Sequence, residues 1–240
     1  MHMQRICIAV LGLAVFSTPA LSLAQTPPAV RGSLRREITR TVEMEYLIYL
    51  PSEYEASAEE WPLMIYLHGG GLAGIELERM ESFMNAWVLP SIEDLSLILL
   101  APVLPGDGPW RSDDLATLLD QVSANYQVDQ DRVYLVGYSR GGNGAWNLGA
   151  DYSRRFAAVV PIAGRGVANV CRIKPAAVWI FHGVEDTTVP PETSESMNRS
   201  LEGCDANVRL TLYPDVGHDS QTPTFQNPAF WKWLLSQKRN

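Results

Sequence analysis

Val133-Tyr134-Leu135-Val136-Gly137-Tyr138-Ser139-Arg140-Gly141-Gly142-Asn143-Gly144-Ala145-Trp146 is the stretch on which the reading of this chain turns. The apolar run 133–136 reads as a short buried strand, and the residues after Gly142 read as the start of a helix. Between them, Gly137-Tyr138-Ser139-Arg140-Gly141 forms a G-x-S-x-G pattern. In a sharp strand-to-helix turn, that pattern lifts the serine hydroxyl above the sheet edge and holds its backbone in a strained conformation. The residues two before and two after the serine crowd together in such a turn, which suits Gly137 and Gly141. The amides that open the following helix point to where an oxyanion would develop. The pattern also arises by chance in chains of this size, so its meaning depends on the sequence around it.

The chain has 240 residues, of which 46% are hydrophobic and 19% charged. That is an ordinary globular composition with room for one sizeable core. The formal net charge is −8, and the cations are scattered without a basic stripe, which argues against a nucleic-acid partner. Arg5, the apolar run 6–16 and the small residues of Ser22-Leu23-Ala24 form a signal-peptide pattern over residues 1–24. It is too short to span a bilayer permanently. Cleavage after Ala24 would make the protein secreted or periplasmic, with no membrane anchor. Cys7 would leave with that segment, and an exported chain with the remaining pair, Cys171 and Cys204, suggests a disulfide. Two free buried thiols are the alternative.

Residues 25–37 read as a loose leader and 38–240 as a single domain. The stretch 41–50 alternates in part, as an antiparallel edge strand does, and 62–67 is a continuous apolar run. His68-Gly69-Gly70-Gly71 follows, a glycine loop whose amides can face a ligand or simply turn the chain. Helical spacing covers 75–88, and 97–100 is another short apolar strand. Ser112 reads as an N-cap, with Asp113 and Asp114 in the first turn of a helix that runs to about Tyr126. After the central stretch come a helix to about 152, strands at 157–162 and 177–181, a helix at 192–201, a strand at 208–213 and a helix at 228–236. This alternation predicts an α/β fold, a mainly parallel sheet with helices on both faces. The short link between 162 and 177 leaves no room for a large lid. Chemistry in such a sheet lies beyond the carboxyl ends of the strands.

A serine hydroxyl needs a base to take its proton, and that base needs a carboxylate to fix its tautomer. His68 belongs to the glycine loop and precedes Ser139, while His182 ends a strand and reads as a satisfied core histidine. His218 sits in the loop beyond the last strand and is the expected base. Among Glu185, Asp186, Asp215 and Asp219, Asp186 lies just past its strand and gives the order Ser139, Asp186, His218.

These pieces resemble the α/β-hydrolases of the secreted esterase group related to dienelactone hydrolase, prolyl oligopeptidase, feruloyl esterase and polyhydroxybutyrate depolymerase. The matching segments are Leu67–Gly71, Asp131–Tyr134, Gly137–Gly142 with Trp146, and His182-Gly183 with Asp186 and Val189-Pro190. Gly217–Ser220 and Asn227-Pro228 with Trp233–Leu235 complete the likeness, which spans about 46–235. The resemblance implies a serine ester hydrolase with Ser139 as nucleophile, His218 as base and Asp186 as its orienting carboxylate. It implies an oxyanion hole from the amide of Arg140 and the Gly70–Gly71 loop, no cofactor, and a small-molecule or polymer-attached ester as substrate. Two departures stand out. Ser139 replaces the cysteine of dienelactone hydrolases, and Arg140 replaces a common methionine. The Arg140 guanidinium either reaches the cleft, where it would attract anions, or decorates the sheet edge. A serine peptidase and a non-catalytic binding module are the alternative readings. No histidine pair or cysteine cluster at metal-ligand spacing is present.

Overall fold

Leu63, Ile65 and Leu67 contribute to one hydrophobic cluster and Met64 and Tyr66 to another, as the two-residue period of a strand covered on both faces requires. They belong to β2 (Trp61–Leu67) in a computed structural model that describes residues 33–37, 39–92 and 96–239. The chain divides into two units, 1–40 and 41–240. The described residues of the first are exposed. The expected signal segment 1–24, and residues 25–32 of the expected leader, lie outside the described residues.

Residues 41–239 build a seven-stranded sheet in the order β1-β3-β2-β4-β5-β6-β7. The remaining strands are β1 (Tyr46–Tyr49), β3 (Ile98–Pro102), β4 (Val128–Tyr138), β5 (Ala158–Ile162), β6 (Ala177–Gly183) and β7 (Val208–Tyr213). Only β1 runs antiparallel to its neighbour, and it is the edge strand that the alternation at 41–50 predicts, although just four residues long. The helices are α1 (Leu77–Phe83), α2 (Ser112–Asn125), α3 (Arg140–Asp151), α4 (Glu192–Gly203), α5 (Gln221–Phe225) and α6 (Pro228–Ser236). Leu115, Leu119 and Val122 of α2, Trp146 of α3 and Leu201 of α4 join the Leu63 side of the sheet. Met80 of α1, Phe225 of α5 and Phe230 and Leu234 of α6 join the Met64 side. Both faces are therefore covered, which is why β3, β5 and the 133–136 part of β4 are apolar.

The elements depart from the sequence reading in four places. The apolar run 133–136 extends back to Val128, because the pairing with β2 jumps register from Trp61↔Val128 to Leu63↔Val133. Asp129 closes that irregularity by accepting from the Asp131 amide at 2.9 Å and from Arg132 Nε at 2.6 Å, so polar residues hide a strand. The helix expected over 75–88 is α1 followed by a π turn at Met84–Val88. Met80, Met84 and Val88 remain buried at four-residue spacing. Ser112 is the first helical residue, not the cap; Arg111 holds the cap position without a side-chain bond. Asp113 and Asp114 occupy the first turn as expected, and Asp113 also receives the Tyr152 hydroxyl at 2.8 Å. Helix α5 had no counterpart in the sequence reading.

Between β5 and β6 the chain makes a single 3-10 turn, Val170–Ile173, whose Val170 and Ile173 are buried in the α3 side of the core. Cys171 is bonded to Cys204 beside the end of α4, a separation of 33 residues. In the chain-entropy account, closing that loop stabilises the fold by about 4 kcal/mol.

Candidate active site

Ser139 connects β4 to α3 with φ 55° and ψ −114°, a conformation that costs a non-glycine residue about 1–3 kcal/mol. Its surroundings hold it there. The Ser139 amide donates to Ile162 O at 2.8 Å, and its carbonyl accepts from the Asn143 amide at 3.0 Å. A Cβ on Gly137 would overlap the Gly141 carbonyl, and one on Gly141 would overlap the Leu67 carbonyl. Both collisions are with backbone, which cannot swing away, so the two glycines of the pattern are what lets β4, α3 and β2 meet at the nucleophile.

His218 lies in the loop after β7, with Nε2 2.8 Å from Ser139 Oγ and Nδ1 2.7 Å from Asp186 Oδ2. Asp186 lies past the end of β6, and the two loops are zipped together by the Glu185 amide donating to Val216 O at 2.9 Å. The Asp186 side chain is fully buried, whereas a quarter of the His218 side chain is exposed. Asp186 Oδ1 accepts from the Thr188 amide at 2.8 Å and the Val189 amide at 2.9 Å. Burial by itself raises the carboxyl pKa, but the hydrogen bonds from His218, Val189 and Thr188 outweigh it and hold the group below the usual carboxylate range. The charged form that a neighbouring imidazolium requires is therefore the favoured one. The Tyr138 ring stands 5.3 Å from that of His218. Its phenol is pushed up to about 12, first by burial and then by the charges of Asp219 and Asp186, so it stays neutral. Asp219 does not join the Asp186 network; its carboxylate receives the Thr222 amide at 3.2 Å and the Thr222 hydroxyl at 2.8 Å at the start of α5.

His68 is fully buried beneath the glycine loop. Its Nδ1 donates to Gly69 O at 2.7 Å and its Nε2 accepts from the Leu104 amide at 3.1 Å, which fixes one neutral tautomer. Trp110 packs edge-on against the ring at 5.0 Å and donates from Nε1 to His68 O at 3.2 Å. Burial lowers the pKa of His68; the Gly69 bond opposes that shift and the Arg140 charge adds to it. The loop that His68 supports runs close to the nucleophile. A Cβ on Gly69 would stand 3.5 Å from Ser139 Cβ, and one on Gly70 would stand 3.0 Å from the Arg140 guanidinium. Gly71 has open space around its Cα. Arg140 donates to Asp107 O at 3.2 Å and is one-third exposed. Its guanidinium stands beside Gly70 and is held by the Asp107 carbonyl.

His182 is where the sequence reading is incomplete. It is buried and satisfied as expected, yet its Nε2 lies 3.1 Å from Asp186 Oδ2. The two residues stand four apart across a strand end, a spacing that carries no periodic signal of the contact. Among the described residues no group of three or more His, Cys, Asp or Glu could hold a metal ion, and no helix is long and apolar enough to cross a membrane.

Residues 111–226, which carry Ser139, Asp186 and His218, match the model of the dienelactone hydrolase family. A protein of Aspergillus clavatus named "Probable feruloyl esterase C" is 26% identical over 265 residues, covering 93% of this chain and 96% of that protein. The crystal structure of a thermostable esterase superposes with a TM-score of 0.74 at 28% identity, over 82% of this chain and 60% of that one. An acylaminoacyl peptidase shares the fold at a TM-score of 0.61 and 14% identity, with 85% of this chain covering 41% of that protein. Sheet order, elbow geometry and these likenesses agree: the chain belongs to the α/β-hydrolase superfamily.

Proposed function

We propose that the protein is an exported serine carboxylic-ester hydrolase that works through an acyl-enzyme formed on Ser139. The observation that carries the proposal is the continuous chain of hydrogen bonds from Ser139 Oγ through His218 to the buried carboxylate of Asp186. In the first half-reaction Ser139 Oγ attacks the ester carbonyl carbon while His218 Nε2 takes the hydroxyl proton. Asp186 keeps the Nδ1 proton on the far side of the ring and stabilises the imidazolium. The tetrahedral oxyanion is bound by the Arg140 amide at the start of α3 and by an amide of the Gly70–Gly71 loop. One such donor is worth roughly 3 kcal/mol of barrier. His218 returns the proton to the departing alcohol; in the second half it activates water, which releases the acid and restores Ser139.

Ester hydrolysis is favoured over amide hydrolysis by the esterase and feruloyl esterase relatives. The segment 163–176 between β5 and β6 contains nothing larger than a 3-10 turn, which suits bulky or polymer-attached esters as well as small ones. Export is supported by the Cys171–Cys204 bridge together with the charged, apolar and small residues at the amino end. The test is hydrolysis of a p-nitrophenyl acyl series, methyl ferulate and a matched anilide by the mature protein, with Ser139→Ala alongside. Ester cleavage that disappears in the variant, together with fluorophosphonate labelling at Ser139, is the expected result. Unchanged hydrolysis in Ser139→Ala would overturn the nucleophile. Faster cleavage of the anilide would turn the reading to a peptidase, and an unlabelled, inert, folded protein would turn it to a binding module.

A further inference from the structure

Behind Asp186 lies a second imidazole that the reaction described above does not use. His182 is the penultimate residue of β6 and is fully buried. Its Nε2 is 3.1 Å from Asp186 Oδ2 and 2.9 Å from Val189 O, and both of those atoms are acceptors. Nε2 therefore carries a hydrogen, and Nδ1 lies 2.6 Å from the Ser194 hydroxyl, to which it is hydrogen-bonded. Ser194 is itself buried, in the first turn of α4.

The Asp186 carboxylate thus receives three N–H donors and a share of a fourth, the His182 Nε2 hydrogen that is divided between Asp186 Oδ2 and Val189 O. The Thr188 and Val189 amides bind Oδ1, and the His182 and His218 rings bind Oδ2. Two donors on each oxygen exhaust its good acceptor positions, so the carboxylate plane has one orientation. We propose that His182, anchored by Ser194, is a positioning residue: it aims Asp186 Oδ2 at His218 and draws off part of its charge. The inference rests on the Ser139–His218–Asp186 reading given above.

The direction of the consequence follows from electrostatics. A carboxylate that already gives density to His182 attracts the His218 imidazolium less strongly, so the base is unprotonated at lower pH. Removing the His182 donor leaves more charge facing His218 and moves the acid limb of activity upward. The other ionisable group facing this network is Tyr138 on β4, which feels the charges of both Asp186 and Asp219 in the His218 loop. On the neighbouring elements, β7 pairs Leu212 with His182, and α4 contributes the neutral Ser194 hydroxyl. None of these changes when His182 is replaced.

The experiment is steady-state hydrolysis of one p-nitrophenyl ester between pH 5 and 9 by wild type, His182→Leu, His182→Gln and Ser194→Ala. Ser139→Ala serves as the blank, and a thermal melt is recorded for each protein. For His182→Leu, kcat falls about ten- to a hundredfold, KM stays within about twofold, and the acid limb of kcat/KM moves up by roughly half a pH unit. His182→Gln, whose amide can still donate to Asp186, lies between Leu and wild type. Ser194→Ala shifts the limb in the same direction by less, and it decides the matter if His182→Leu does not fold. A lowered melting temperature with an unmoved acid limb and unchanged kcat would reduce His182 to core packing and overturn the proposal. An active wild type with unmoved variants overturns the role of His182 alone. A wild type no faster than Ser139→Ala overturns the hydrolase reading and this inference with it.

Discussion

His68 and His182 are built alike and used differently. Each stands at the carboxyl end of a parallel strand, each is followed by a glycine, and each is fully buried. His68 spends both ring nitrogens on backbone, the Gly69 carbonyl and the Leu104 amide, so its ring fixes the path of a loop. His182 spends its nitrogens mainly on side chains, Ser194 and Asp186, so its ring bears on a charge. A buried histidine is thus a brace in one strand end and part of an electrostatic relay in the other. Sequence context, a histidine before a glycine, does not tell the two apart; their hydrogen-bond partners do.

The comparison is broken most severely at the carboxylate that only one of them touches. Asp186→Asn should lower kcat by roughly 10⁴-fold, because an amide nitrogen facing His218 favours the wrong tautomer. Steady-state kinetics on a p-nitrophenyl ester reads this directly, and a loss under tenfold would remove Asp186 from the chemistry. The next effect, smaller and on kcat and the acid limb together, is that of His182→Leu described above.

His68 should reveal itself in stability rather than in rate. Its pKa is lowered in the folded protein, mainly by burial, so below the ordinary value of 6.5 the unfolded chain binds the proton more readily. The stability it allows is complete above pH 6.5 and declines as pH falls below that value, with a slope of at most about 1.4 kcal/mol per pH unit. Asp186 also has a lowered pKa, and its share is present above about 3.8 and is lost only below that value. Urea midpoints at pH 7.5 and 5 therefore isolate the histidine: wild type should lose stability over this interval, and His68→Gln should lose less. Equal slopes would show that His68 is not the group responsible. The smallest effect belongs to Arg140→Met. Removing the cation that adds to the depression of the His68 pKa should flatten the slope slightly, and hydrolysis of a neutral ester should change by about threefold or less.

Most of the architecture was legible because the strands are covered on both faces and so read as unbroken apolar runs; β7 and α6 fall where their patterns put them. The amino half of β4 was not legible, since Asp129–Arg132 fold into a polar irregularity within a pairing that continues past it. Helix α5, five residues long, is too short for a periodic signal. At the site, Ser139, Asp186 and His218 could be found because each follows a strand and each brings a distinct chemistry. The second role of His182 could not, because a contact between residues four apart across a strand end depends on the turn that β6 makes, and no periodic pattern records that turn. Gly69, on which a Cβ would stand 3.5 Å from that of Ser139, was likewise passed over for its neighbours, since three glycines in a row look alike until Trp110 and His68 fix their path.

The bridge from Cys171 to Cys204 staples the span between β5 and β6 down against α4. Among the described residues, the span between β5 and β6 contains no cover that an oil–water boundary could pull aside. The velocity of hydrolysis should then rise as one smooth hyperbola as the substrate passes from dissolved molecules to droplets, with neither a lag nor a jump where the phases separate.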